Sequence, residues 1–247
     1  MKRTTLILLC LTTLISCKEE KTKTATAPEP VAETITPESN DWIWLFDGSS
    51  TDAWHEYGKD NTEFPESWKI EGDALVFHPV KDEKHNIVTD ESFESFELSL
   101  EWKIAEGGNS GIMWGVKESP EYSEPYYTGP EIQVLDNLRH PDAKVGERTH
   151  QAGALYDMIA PTEDVSKPAG EWNTYVIRID HANNQGTVVH NGTLVTEFPL
   201  SGEAWEQMVA NSKFADWEAF GKYKNGKIAL QDHSDMVAYR NIKIRKL

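Results

Sequence analysis

The stretch Phe96-Glu97-Leu98-Ser99-Leu100-Glu101-Trp102-Lys103-Ile104 alternates without a break, with Phe96, Leu98, Leu100, Trp102 and Ile104 on one face and polar residues on the other. A period of two describes a strand that packs on one side and is wet or functional on the other. The same reading outward gives strands near Trp42 to Phe46, Trp68 to Ile70, Ala74 to His78, Gly111 to Val116, Glu131 to Leu135 and Ala152 to Tyr156. Further strands follow near Asn173 to Asp180, Gly186 to His190, Thr193 to Phe198, Lys227 to Gln231 and Val237 to Arg245. Asn191-Gly192 is a two-residue hairpin signal, since both positions must tolerate positive φ. One helix is expected over Ala204 to Ser212, with Trp205, Met208 and Val209 at helical spacing. Many short strands with almost no helix predict an all-β sandwich rather than a helix-alternating parallel sheet. If one sheet is curved, its concave face is a groove into which alternate strand residues project.

The 247 residues carry 24 Lys plus Arg against 41 Asp plus Glu, a formal charge of −17. Such a surface repels phosphate backbones, which excludes nucleic acid as a partner. Nine Trp, eight Tyr and eight Phe suit either a wide core or a surface that stacks on sugars. Trp42, Trp44, Trp68, Trp102 and Trp172 fall in strand-like runs and are expected in the core, whereas Trp114 could face either the core or a sugar. No HExxH, glycine-rich phosphate loop, GxSxG or EF-hand loop occurs. With so many carboxylates, nominating two of them as a glycosidase dyad carries no information by itself.

Residues 1–16 have a basic start and a short apolar run broken by Thr12 and Thr13, the proportions of a signal peptide rather than of a membrane span. Leu14-Ile15-Ser16-Cys17 resembles a bacterial lipobox, which makes Cys17 the lipid-bearing N-terminus of the mature chain. Cys10 leaves with the signal, so cysteine catalysis and thiolate metal sites are excluded. Residues 17–40 read as the lipidated cysteine and a disordered tether, because Thr, Pro, Glu and Lys bury too little surface to offset the entropy of ordering. Lys18-Glu19-Glu20 resembles a surface-export address. The expected location is the bacterial outer membrane, periplasmic or cell-surface, with residues 41–247 as the folded domain.

Candidate functional residues sit on the non-core faces. With Ile132 and Val134 inward, Glu131 and Gln133 share the opposite face about 7 Å apart. With Ile228 and Leu230 inward, Gln231 and His233 emerge in the same way. Amide and imidazole side chains are less common on a merely solvated face than Lys, Glu and Thr, which makes these four a candidate row. Glu101, Asn109, His150, Tyr156 and Arg240 join them as candidates. Each has a plain alternative: a solvated carboxylate, a tight turn, a loop histidine, a core-edge aromatic and a surface ion pair. His55, His78, His85, His140, His181 and His190 are expected at the surface or in loops.

Six motifs occur in order: Gly108-Asn-Ser-Gly-Ile112, Gly129-Pro-Glu-Ile-Gln-Val-Leu-Asp136, Gly153-Ala-Leu-Tyr-Asp157, Gly170-Glu-Trp-Asn173, Leu230-Gln-Asp-His233 and Tyr239-Arg-Asn-Ile-Lys-Ile244. They are opened by Phe46-Asp-Gly48 and Trp68-Lys-Ile-Glu-Gly72, and together they resemble the 3-keto-disaccharide hydrolase family over roughly Trp42 to Leu247. The resemblance implies a concanavalin A-like jelly-roll sandwich acting on glycosides already oxidised at C3. A ketone there acidifies the C2 hydrogen, so a base forms an enediolate that expels the C1 substituent, and water then adds to the glucal. On that chemistry Glu131 or His233 is the base, and His150 or Tyr156 the acid. Asn109, Gln133, Gln231 and Arg240 bind substrate and the oxyanion, with Glu101 and Trp114 as further substrate contacts. The sequence requires no cofactor; a divalent metal ion on Glu131, His150 or His233 is an alternative means of stabilising the enediolate. A separate sugar 3-dehydrogenase would supply the substrate. The rival expectations are a non-catalytic carbohydrate-binding lipoprotein and a conventional glycoside hydrolase.

Overall fold

The computed structural model describes residues 41–59 and 64–247; the expected signal peptide, Cys17 and tether lie outside the described residues. In chain order the first strands are β1 (Ile43–Phe46), β2 (Trp54–Glu56), β3 (Trp68–Glu71), β4 (Ala74–Phe77), β5 (Ile87–Thr89), β6 (Phe96–Ile104), β7 (Asn109–Val116) and β8 (Glu131–Leu135). They are followed by β9 (Asn173–Asp180), β10 (Gln185–His190), β11 (Thr193–Phe198), the helix α1 (Glu203–Ala210), β12 (Lys227–Leu230) and β13 (Val237–Lys246).

The strands form two antiparallel sheets packed face to face, an all-β jelly-roll sandwich. One sheet runs β11-β10-β9-β6-β13-β4-β3, with β1 also pairing β13; the other runs β2-β5-β12-β7-β8. The irregularity in β13 between Arg240 and Lys243 contains Asn241 at φ +52°, a left-handed turn that a short amide side chain tolerates. It splits the strand's partners, so that β4 takes Val237 to Tyr239 and β1 takes Ile242 to Ile244.

Burial along β6 alternates as its sequence requires. Its inner residues meet Ile132, Val134, Ile228 and Leu230 of the second sheet in one apolar cluster. Each such side chain contributes about 1.5–3 kcal/mol on full burial. Two core tyrosines also reach across to the second sheet. Tyr175 Oη donates to the Gln133 carbonyl at 2.8 Å, and Tyr239 Oη lies 2.8 Å from Ser110 Oγ, which donates to the Gln231 carbonyl. The backbone beneath Gln133 and Gln231 is therefore fixed from the core side.

Several expectations are corrected. Ala152 to Tyr156 is not a strand: Gly153 at φ +85° and Asp157 at φ +62° break the extended run. The segment borders β8 irregularly, through Gly153 N to Gln133 O at 3.0 Å and Tyr156 N to Glu131 O at 3.0 Å. Strands β2 and β5, three residues each, are too short to show a period. Trp44 is half exposed, and with Trp42 it stands beside the Lys243 ammonium rather than in the core. Trp172 covers the outer side of Arg240, its ring centre 4.2 Å from the guanidinium. His190 is buried against Trp102 and Tyr175, and burial pushes its pKa down to about 4. His55 is buried between Asp90 and Glu118, at 2.6 and 3.0 Å.

Candidate active site

The face of the second sheet turned away from the core carries the row expected from alternation. Glu131 and Gln133 of β8 stand opposite Met113 and Gly111 of β7. Gln231 follows β12, and its N–H donates to the Gly111 carbonyl at 2.9 Å, which places its side chain beside the same strand. The glycine is required there, because a Cβ at position 111 would collide with the Glu131 carboxylate. Asn109 opens β7, its N–H donating to Asp235 at 3.1 Å.

These residues floor a cavity of about 390 Å³ that also receives Tyr156, Lys213 and His233. Tyr126, Tyr127, Phe214 and Trp217 complete its wall. Asn109, Glu131, Gln133 and Gln231 are all buried. Among the described residues, Asn109 Oδ1 and Gln231 Oε1 are buried acceptors without a hydrogen-bond partner. A buried carbonyl oxygen left without a donor costs about 1–3 kcal/mol, so this floor is suited to a ligand rich in hydroxyl donors.

Burial raises the Glu131 pKa to about 8, against the opposing pull of the Lys213 ammonium and with a smaller push from Asp142. His233 stands at the rim with its side chain 47% exposed. Partial burial against the wall, reinforced by Lys84, lowers its pKa and favours the neutral imidazole. Burial, reinforced by the nearby Asp142 charge, holds the Tyr156 phenol above its usual range, so it remains a hydrogen-bond donor. That hydroxyl donates to Asp142 at 3.3 Å.

His150 is also buried, but behind Tyr156, with the two ring centres 4.3 Å apart. Its Nε2 meets Asp157 at 2.8 Å; its Nδ1 lies 3.1 Å from Asp142 without hydrogen-bond alignment. Asp157 also accepts from the Lys213 backbone N–H at 2.7 Å, which ties the segment bearing Lys213 to the loop bearing His150 and Tyr156.

Three expected site residues lie elsewhere. Glu101 and Arg240 face each other on β6 and β13 of the opposite sheet, where the guanidinium donates to Glu101 at 2.8 and 3.0 Å. Their spacing is that of cross-strand neighbours, so an ion pair satisfies both away from the cavity. Trp114 is core, stacked on Phe198 with ring centres 5.6 Å apart. Lys213 and the four aromatic wall residues were not among the sequence candidates. Phe214, Trp217 and Phe220 recur every third residue, but that spacing shows no more than an aromatic cluster. Among the described residues no group of three or more His, Cys, Asp or Glu side chains is placed to hold a metal ion.

Unpaired amide acceptors on the floor of a cavity walled by aromatics suit a sugar ligand, and the relatives below place the chain among carbohydrate-active proteins. A family model described as the 3-keto-alpha-glucoside-1,2-lyase-like domain matches residues 41–245. The chain belongs to that family, as its motifs led one to expect. A protein from Bacteroides thetaiotaomicron named 3-keto-disaccharide hydrolase is 36% identical over 237 residues, 85% of this chain and 80% of that protein. A Parabacteroides distasonis crystal structure, provisionally described as a glycosyl hydrolase, superposes with a TM-score of 0.75 at 28% identity, covering 84% of this chain and 94% of the other. A second from the same organism gives 0.63 at 25% identity, covering 84% and 100%.

Proposed function

We propose that this protein cleaves 3-keto-glycosides by removing the C2 proton and eliminating the C1 substituent, with water then completing a net hydrolysis. The observation that carries this reading is that one cavity holds a buried carboxyl, Glu131, on its floor and an imidazole, His233, at its rim. Burial pushes Glu131 up to about 8, favouring its protonated form, and pushes His233 down, favouring the neutral imidazole. Groups pushed apart in this way divide the work of acid and base.

In this reading neutral His233 takes the C2 hydrogen as a proton, and the C–H electron pair becomes the enediolate, its charge on the C3 oxygen. The Lys213 ammonium supplies positive potential for that charge, and the Tyr156 hydroxyl can donate to it by turning from its long bond to Asp142. The C3 carbonyl re-forms as C1 and C2 become doubly bonded, and the C1–O bond breaks with its electron pair leaving on oxygen. Glu131 gives its proton to that oxygen, so an alcohol departs. Water then adds: its oxygen bonds C1 while the Glu131 carboxylate takes one of its protons, and the His233 imidazolium returns its proton to C2, giving the free 3-keto sugar and both groups as they began. Asn109 Oδ1 and Gln231 Oε1 accept from sugar hydroxyls and hold the ring over the floor. This reading takes Glu131, rather than His150 or Tyr156, as the acid, with His150 packed behind Tyr156 as its support.

We also propose that a lipid on Cys17 holds the domain at the outer membrane, downstream of a separate sugar 3-dehydrogenase. The family relation and the name of its relative support the substrate class; the cavity supports the division of roles. Incubation of the 3-keto product in deuterated water tests the first step. Enzyme-dependent exchange of the C2 hydrogen supports the reading, and exchange no faster than in buffer overturns it.

A further inference from the structure

The aromatic wall has no part in the proton transfers above, and its arrangement is ordered by depth. The polar floor is buried, with Asn109, Glu131, Gln133 and Gln231 between 1% and 7% exposed, whereas Tyr127 is 37% exposed and Trp217 lies partly open beside it. Tyr126, Tyr127 and Trp217 form a triangle with ring centres 5.0 to 6.0 Å apart. Phe214, stacked on Phe220 at 3.9 Å, supports Trp217 from beneath. Tyr126 and Tyr127 belong to a one-turn 3-10 helix, Pro125–Tyr127, while Trp217 comes from the segment after α1. The two segments are joined by the Gly221 N–H donating to the Thr128 carbonyl at 2.8 Å. The triangle is therefore braced within the fold, and a wall fixed in this way costs little ordering on binding.

We propose that Tyr126, Tyr127 and Trp217 form the leaving-group subsite, which takes a flat ring with an apolar face, either an aryl aglycone or a second pyranose. The inference rests on the elimination reading. If the reacting bond lies against Glu131 on the floor, the C1 substituent points outward along the cavity and meets these rings at the rim. Aromatic rings stack on the apolar face of either kind of group.

The test compares wild type with Trp217→Ala and Tyr127→Ala on three 3-keto-glucosides bearing p-nitrophenyl, glucosyl or trifluoroethyl leaving groups. Each variant is expected to raise KM about tenfold for the two ring-bearing substrates, and at least about fivefold less for the trifluoroethyl compound. A penalty confined to one ring-bearing substrate identifies the aryl or the sugar source; an equal penalty on all three overturns the subsite. Should Trp217→Ala fail to fold, the exposed Tyr127→Ala carries the comparison. If wild type turns over none of the three, the elimination reading fails. The subsite is then judged separately by calorimetric binding of p-nitrophenyl and methyl glucosides. Loss of an aryl preference in Tyr127→Ala supports it, and unchanged binding overturns it.

Discussion

The Glu131 carboxyl lies across Gly111 of the neighbouring strand, in the space that a side chain at position 111 would fill. The acid of the proposed reaction thus depends on a residue with no functional group.

Gly111→Ala is expected to push the carboxyl out of place. Overpacking of this kind costs about 1–3 kcal/mol, and turnover should fall more than about tenfold in a protein that still folds. Thermal unfolding and turnover of Gly111→Ala, Glu131→Ala and the double variant check this. The alanine at 111 should destabilise markedly less once Glu131 has been truncated.

Stability should depend on pH through Glu131. A carboxyl whose proton affinity is higher in the folded than in the unfolded chain contributes stability that is fully present below the ordinary value of 4.5. That stability is lost as the pH rises through about 8. Glu131→Gln does not titrate, so it should gain on wild type across that window, by an amount on the order of 2–4 kcal/mol. Denaturant melts of both proteins at pH 4.5 and pH 8.5 measure the gap. Equal gaps at the two pH values would show that Glu131 is not held in a low-dielectric site.

The dependence of kcat/KM on pH should be bell-shaped. The acid limb reports His233 losing its proton below the ordinary imidazole value of 6.5, and the alkaline limb reports Glu131 ionising near 8. His233→Ala and Glu131→Gln should each lower turnover more than about tenfold with the fold intact, and the second should remove the alkaline limb. Near-wild-type rates in both would take the pair out of the mechanism.

Arg240 provides the contrasting case. Its guanidinium is held by Glu101 and covered by Trp172 on the opposite sheet. Arg240→Ala should cost about 1 kcal/mol of stability, since the pair is partly exposed, and leave turnover within about twofold. A large loss of turnover at unchanged stability would return Arg240 to the site.

These contrasts show what the sequence could and could not reveal. Alternation in Phe96 to Ile104 and in Glu131 to Leu135 placed both strands, and it put Glu131, Gln133 and Gln231 on one face, because the pleat alone decides which side a residue takes. It could not say which sheet a strand joins. Glu101 and Arg240 also occupy outward positions, but their sheet presents the opposite outer surface. Trp114 sits on the inner side of β7 next to the outward Met113, a distinction its uniformly buried strand conceals. Lys213 and Trp217 reach the cavity from an irregular segment after α1. Their positions depend on single contacts, such as Asp157 with the Lys213 N–H, that no periodicity encodes. His190 escaped notice because a buried neutral imidazole needs only one local partner, here Asn173 at 3.2 Å.

The central claim is that a carbonyl at C3 is what makes the glycosidic bond breakable here. Its most direct test incubates the protein with p-nitrophenyl glucoside and its 3-keto counterpart, matched in anomer, and follows release of p-nitrophenol. Release from the keto compound alone is the expected result. Equal release from both would mark a conventional glycoside hydrolase, and binding of both without release would mark a carbohydrate-binding protein; either outcome contradicts the account.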